Sequence, residues 1–277
     1  MKKNKLVAPV VKWAGGKRQL LPEITKYIPS FSTYYEPFVG GGALLFELQP
    51  RKIVINDFNS ELINTYQVIK DNVDGLIVDL QKHQNNAEYF YQIRALDRDS
   101  CVYAKLSPLE RASRLLYLNK TCYNGLFRVN KSGEFNSPFG YYSNPNIVND
   151  ITLRAVSHYL NSIKATFLVG DFETALDRIK KKSFVYFDPP YDPISNSSSF
   201  TGYTLGGFDS NEQIRLKDLC DKLDNKGVKF LLSNSATDFI KDLYKDYRIE
   251  IVKAKRAINS NALLRDEIDE VLIRNYE

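Results

Sequence analysis

The chain is poor in the residues that many hydrolases and metalloenzymes depend on. Only two of its 277 residues are histidine, His83 and His158, and neither sits in a motif with a nucleophile partner. A Ser-His-Asp or Cys-His mechanism therefore has no footing. The three cysteines, Cys101, Cys122 and Cys220, are far apart and match neither a disulfide framework nor a zinc spacing. There is no CxxC or HExxH cluster, so no protein-bound metal is expected. No apolar run reaches the ~18 residues of a membrane span. The basic start "MKKNKLVAPVVKWAGGK" lacks an apolar stretch and a cleavage site. The expected location is the cytoplasm, with no membrane partner.

What is present suits a sizeable core. The chain is 43% hydrophobic, enough for one or two domains. Its formal charge of +5 permits a nucleic-acid partner without demanding one. Seven segments read as strands: Thr33–Pro37, Lys52–Asn56, Thr166–Val169, Phe184–Phe187, Val228–Ser233, Arg248–Val252 and Glu270–Arg274. Most are followed by helical patterns. "NEQIRLKDLCDKLDNKG" has apolar residues at Ile214, Leu216, Leu219 and Leu223 and a stop at Gly227. Alternating strands and helices predict an α/β sheet covered by helices.

The alternation stops between residues 70 and 163, a stretch richer in Tyr, Asn and Arg. It contains a helix start at Ser107-Pro108 with Glu110 following. After it comes "TCYNGLFRVNKSGEFNSPFGYY", with turn signals at Asn124-Gly125 and Ser132-Gly133. This predicts a domain of residues 70–163 inserted into one formed by 1–69 and 164–277. Residues 195–208, "SNSSSFTGYTLGGF", read as a mobile loop.

Three stretches carry chemistry. "YYEPFVGGGALLFEL" is a strand, a glycine turn and a helix, and the next strand ends at Asp57. Glycine permits a tight turn and close approach of a ligand, and an acid at the second strand tip can accept ribose hydroxyls. A nucleoside cofactor fits; without GxGxxG or a Walker GK[ST], a dinucleotide or triphosphate does not. "KWAGGKRQLL" offers an indole, two glycines and a cation, but taken alone it reads as a helix start with a surface lysine, Lys17. "SFVYFDPPYDP" is a buried strand ending in Asp188-Pro189-Pro190-Tyr191. The prolines fix φ and remove two N–H donors, leaving the carbonyls of the turn free to accept. An acid, a free carbonyl and a flat ring suit the exocyclic amine of a planar base.

"WAGGK", "EPFVGGGA", the strand ending in Asp57, "GDF" at Gly170–Phe172 and "DPPY" at Asp188–Tyr191 together resemble the Dam-type DNA adenine-N6 methyltransferases of the alpha, DpnM-like group. "LYLNKTCYNGLFRVNKSGEFNSPFGYY" is similar to that family's DNA-reading segment. The resemblance runs from about residue 9 to the C-terminus. It implies a Rossmann-like S-adenosylmethionine-dependent sheet of about seven strands. A mainly helical target-recognition domain carrying a β-hairpin would be inserted into it. It implies methyl transfer to adenine N6 in double-stranded DNA, with GATC as the expected target, in a monomer or weak dimer. Such an enzyme can act beside a cognate restriction endonuclease.

Residue by residue, the resemblance assigns catalysis to Asp188, Pro189, Pro190 and Tyr191. It assigns the cofactor to Trp13, Lys17, Glu36, Phe38, Gly40, Asp57, Asp171, Phe172 and Asp188. DNA falls to Lys12, Tyr123, Asn124, Leu126, Arg128 and Pro138. Beside an adenine methyltransferase of another short target sequence, two rival readings are a methyltransferase of RNA or of a protein amide, and a DNA-binding module without catalysis. The hairpin insertion speaks against the first and the intact DPPY against the second.

Overall fold

The computed structural model describes residues 3–13, 15–130, 132–194, 207–255 and 267–277. Most of the loop expected at 195–208 lies outside the described residues. All seven expected strands are found: β1 (Thr33–Glu36), β2 (Lys52–Asp57), β3 (Lys164–Val169), β4 (Ser183–Phe187), β5 (Lys229–Ser235), β6 (Arg248–Lys255) and β7 (Glu267–Arg274). They form one sheet in the order β3-β2-β1-β4-β5-β7-β6. The first five strands run parallel, and β7 lies antiparallel between β5 and β6.

Strand order reverses between β1 and β4. The chain steps outward one way through β2 and β3 and the other way through β5. At such a point the loops leaving two neighbouring strands diverge and open a crevice at their carboxyl ends. Here those ends carry Glu36-Pro37 and Asp188.

Helices cover both faces, so central strands are apolar on both sides. Every residue of β4 is buried. Phe184 and Tyr186 join one core, Val185 and Phe187 the other. The second core is closed by α9 (Ser210–Asn225) and α10 (Asp238–Leu243). In α9 the buried face runs through Gln213, Leu216, Leu219, Cys220 and Leu223. Ile214, two residues before Leu216 and so on the opposite side of the helix, is exposed, while the polar Gln213 faces inward for a reason that lies at the site. Gly227, where the helix was expected to stop, has φ +68°.

The first core is larger. The helices ahead of β3 are α1 (Leu21–Lys26), α2 (Ala43–Leu48), α3 (Ser60–Asp71), α4 (Val73–Leu80), α5 (Ala87–Ala95), α6 (Ser100–Tyr103), α7 (Pro108–Thr121) and α8 (Asp150–Ser162). Ile53 and Ile55 of β2 share one cluster with Leu76 of α4, Phe90 of α5, Leu116 of α7 and Val156 of α8. Residues 70–163 thus pack through the same core as the sheet. Their hairpin is short. Antiparallel bridges join Cys122 to Phe139 and Val129 to Phe135, and the Asn136 N–H donates to the Arg128 carbonyl at 2.9 Å. Among the described residues no helix is long and apolar enough to cross a membrane.

The start of α7 is a full capping box. The Glu110 N–H donates to Ser107 Oγ at 3.3 Å and the Ser107 N–H to Glu110 Oε2 at 2.8 Å. Ser107→Ala removes the acceptor and should destabilise the fold by about 1 kcal/mol. A shift of the urea midpoint with unchanged slope is the expected result; an unchanged midpoint would contradict it.

Candidate active site at the strand switch point

β4 delivers Asp188 to the crevice, and the residue that meets it comes from the far end of the sequence. Lys17 Nζ lies 2.7 Å from Asp188 Oδ1, with the lysine side chain 6% exposed and the aspartate side chain 20%. Lys17 is therefore no surface lysine. Its ammonium also donates to the Gly15 carbonyl at 2.6 Å and lies 4.3 Å from the centre of the Tyr191 ring. Ser233 Oγ donates to Asp188 Oδ1 at 3.2 Å. Burial raises the Asp188 carboxyl above its ordinary range, against the pull of Lys17 and Ser233.

The Asp-Pro-Pro-Tyr turn is held from two strands and a helix. Gln213 Nε2 donates to the Pro190 carbonyl at 3.0 Å, and Asn234 Nδ2 donates to Gln213 Oε1 at 3.0 Å. The Asp192 N–H donates to Asn234 Oδ1 at 3.0 Å. The Tyr191 hydroxyl donates to Glu270 Oε2 at 2.7 Å. Of the turn's carbonyls expected to be free, that of Pro190 is taken by Gln213. Among the described residues nothing donates to that of Pro189. Gln213 turns inward in α9 because this carbonyl needs it. Sequence reasoning missed Gln213, Ser233, Asn234 and Glu270, since each lies in a strand or helix whose pattern marks it only as core or surface.

The neighbouring wall is built by the loop after β1. Gly40 has φ +46°, and a Cβ there would lie 2.9 Å from Trp13 Cδ1. Only glycine suits both the dihedral and the contact. The Gly40 N–H donates to Asp57 Oδ2 at 2.9 Å and the Asn59 N–H to Asp57 Oδ1 at 3.0 Å. Each oxygen keeps a lone pair for a further donor. Next to Asp57, Phe58 is 55% exposed, another residue the sequence reading passed over. Phe38 packs on Phe172 at 5.3 Å and on Phe208 at 5.7 Å between ring centres.

Two expected cofactor residues have other partners here. Glu36 is 2% exposed and accepts from the Tyr34 hydroxyl at 2.9 Å, and burial raises its carboxyl well above the ordinary range. Its carboxyl belongs to the interior beneath the crevice. The Asp171 carboxylate is paired with Arg215, which also lies 4.3 Å over the Phe172 ring.

The residues expected to face DNA come together around the hairpin. Tyr123, Asn124 and Pro138 are exposed, and the Tyr123 N–H donates to the Pro138 carbonyl at 2.8 Å. Leu126 and Arg128 are half-buried, while Phe127 between them points inward. Arg128 Nε donates to Asn136 Oδ1 at 2.8 Å. Lys12 joins them through buried Asn119. Asn119 Oδ1 accepts from the Lys12 N–H at 2.8 Å, and its Nδ2 donates to the carbonyls of Lys12 at 2.8 Å and Gly125 at 3.1 Å. A Cβ on Gly125 would lie 2.9 Å from Lys12 Cδ, so the glycine lets the lysine lie over the turn. The Trp13 ring stacks on Phe127 with centres 4.6 Å apart.

No histidine reaches this crevice. His83 is hydrogen-bonded to Tyr89 and Ser113 and stacked on Tyr117 in the helical layer, where burial lowers its imidazole to about 4.

Residues 13–258 match the family of D12 class N6 adenine-specific DNA methyltransferases. The chain is 46% identical to the type II methyltransferase M1.LlaDCHI of Lactococcus lactis subsp. cremoris, over 100% of this chain and 98% of that one. It is 42% identical to the type II methyltransferase M.MjaIII of Methanocaldococcus jannaschii, over 98% and 99%. It is 33% identical to the DNA adenine methylase of Escherichia coli K12, over 98% and 95%.

Burial raises the Asp57 carboxyl from its ordinary 3.8 to about 6, against the opposing backbone N–H groups. Between these values the folded chain holds a proton that the unfolded chain has released. The stability from this group is fully present below the lower value and is lost as pH rises through the upper one. The stability of the wild type minus that of Asp57→Asn should therefore fall between about pH 4 and pH 7, read from urea titrations. A difference that stays flat would sink the assignment.

Proposed function

Because the chain belongs to the D12 class of N6 adenine-specific DNA methyltransferases, we propose that it transfers the methyl group of S-adenosylmethionine to adenine N6 within GATC in duplex DNA. The observation that carries the reading is the seat of the Lys17 ammonium. A positively charged nitrogen there touches a carboxylate, a carbonyl and the face of an aromatic ring. An adenine amino nitrogen gains positive charge as it takes up a methyl group, and it needs the same surroundings.

The residues present fit the cofactor. The glycine turn at Gly40, the acid at the tip of β2 with lone pairs to spare and the exposed ring of Phe58 suit a nucleoside at the carboxyl edge of the sheet. Trp13, Lys17, Asp57 and Asp188 are the residues we assign to it. When bound, S-adenosylmethionine supplies a methyl group on a sulfonium, already activated for displacement.

The protein's own part is positioning and charge. The adenine leaves the duplex, and its ring stacks on Tyr191, which offsets part of the unstacking cost. Its amino group displaces the Lys17 ammonium from Asp188. Asp188 accepts one N–H and the Pro189 carbonyl the other, which turns the nitrogen lone pair towards the methyl group. With its affinity for protons raised by burial, Asp188 is the nearest acceptor for the proton that the methylated nitrogen sheds. Neither a histidine base nor a metal enters this scheme.

Reading of the target falls to Lys12, Leu126 and Arg128, set by the Asn124–Pro138 hairpin. Arg128 presents a planar fork suited to guanine O6 and N7, and Leu126, two residues earlier on the same side, suits a thymine methyl group. Two of the relatives carry the name of type II methyltransferases, and this supports a role beside a restriction endonuclease.

Asp188→Ala should lower kcat by two orders of magnitude or more, about 3 kcal/mol, in a chain that stays folded. Labelled-methyl transfer to a GATC duplex, run beside a melting curve, checks this. Near-wild-type turnover would refute the assignment. Arg128→Ala should cost about 1–3 kcal/mol on GATC and relax discrimination at one base pair. An equal loss on all duplexes, with a salt slope smaller by about one, would make Arg128 a phosphate contact instead. Equal wild-type rates on GATC and on its single-base variants would overturn the target.

A further inference from the structure

The backbone around Tyr191 is fixed, but the angle of its ring is not fixed by the backbone. Two prolines precede it, Gln213 holds the Pro190 carbonyl and Asn234 holds the Asp192 N–H. The side chain still has two rotatable bonds. Its hydroxyl donates to Glu270 at 2.7 Å with Ser233 also beside it, and the Lys17 ammonium lies over its face. Glu270 belongs to neither of the strands that meet at the switch point. It sits on β7, opposite Ser235 of β5 and Val252 of β6. The antiparallel strand thus reaches the crevice through one side chain. Glu270 is half-buried there, and aliphatic neighbours on the strand, Val271, Leu272 and Ile273, are fully buried. A carboxylate at this position has no packing role that an aliphatic side chain would not serve better.

We propose that Glu270 is a positioning residue for methyl transfer, holding the Tyr191 ring in the plane that receives the target base. It acts through Tyr191 and touches neither the base nor the methyl group. The inference rests on the reading of Tyr191 as the stacking partner of the extruded adenine.

Glu270→Leu, Glu270→Gln, Tyr191→Phe, Tyr191→Ala and the double variant Glu270→Leu/Tyr191→Phe test it. The readouts are kcat and KM on a GATC duplex, urea midpoints, and emission from 2-aminopurine placed at the target adenine. Glu270→Leu should lower kcat about ten-fold with KM for S-adenosylmethionine changed less than about two-fold. Emission from the bound 2-aminopurine duplex should rise, because a base less well stacked on the tyrosine is less quenched. Glu270→Gln keeps an acceptor and should recover most of the loss. Tyr191→Phe removes the same bond without touching β7, so it carries the test if Glu270→Leu does not fold. It should match Glu270→Leu, and the double variant should lose no more than either. Losses that multiply in the double variant would overturn the proposal. So would a lowered urea midpoint with kcat and emission unchanged. If Tyr191→Ala abolishes stacking while the Glu270 variants and Tyr191→Phe behave as wild type, only the positioning role fails. If Tyr191→Ala leaves emission and kcat unchanged, the stacking reading fails with it.

Discussion

A carboxylate that is four-fifths out of solvent needs a cation or a proton, and Asp188 has Lys17. Much of the crevice is arranged around that need. The lysine must arrive from a segment that can approach the carboxyl ends of the sheet closely, and Gly15-Gly16 before it provides the slack. Lys12, Trp13 and Lys17, close in sequence, then meet three parts of the site. At one end Asn119 clamps Lys12 to the hairpin turn. In the middle the Trp13 ring fills the space between Phe127 and Gly40. At the other end Lys17 closes on Asp188. The hairpin, the glycine turn and the acid are thus tied to Lys12, Trp13 and Lys17, side chains close together in the sequence.

The helical segment of residues 70–163 makes sense in this frame. A hairpin as short as this one is marginal by itself. It is held by side chains from the helices around it. The Phe135 N–H donates to Asp97 Oδ2 at 2.8 Å, Arg94 donates to the Ser137 carbonyl at 3.2 Å, and Arg114 pairs with Asp97 at 2.8 Å. Sharing a core with the sheet fixes those helices relative to the strand tips. The cost includes the buried charge of Arg114, which is paired with Asp97.

How much of this was legible in the sequence follows from the range of the interactions. The strands could be read because a two-sided sheet demands unbroken apolar runs, and "FVYF" has no other use. The capping box at Ser107 could be read because it is local. The motifs at the strand tips could be read because they stand next to the strands, and the family resemblance gave them roles. Lys17 could not be placed from its own surroundings, since its partner lies on β4. Gln213 looked like the polar side of α9 and Ile214 like the apolar side. Ile214 lies two residues from Leu216 and so on the opposite side of the helix, and the Gln213 amide turns to the Pro190 carbonyl. Glu270 stood only as the first residue of an expected strand. In each case the deciding partner lies beyond the reach of any local pattern.

The chain has a single tryptophan. It is the residue wedged between the inward-facing phenylalanine of the hairpin and the glycine turn after β1. Its indole therefore borders the hairpin and the glycine turn at once. Indole emission responds to the polarity and packing around the ring, so the protein carries a built-in optical probe at this junction. Its colour and intensity can be followed in the unlabelled protein as the crevice is filled, and no other indole contributes to the signal.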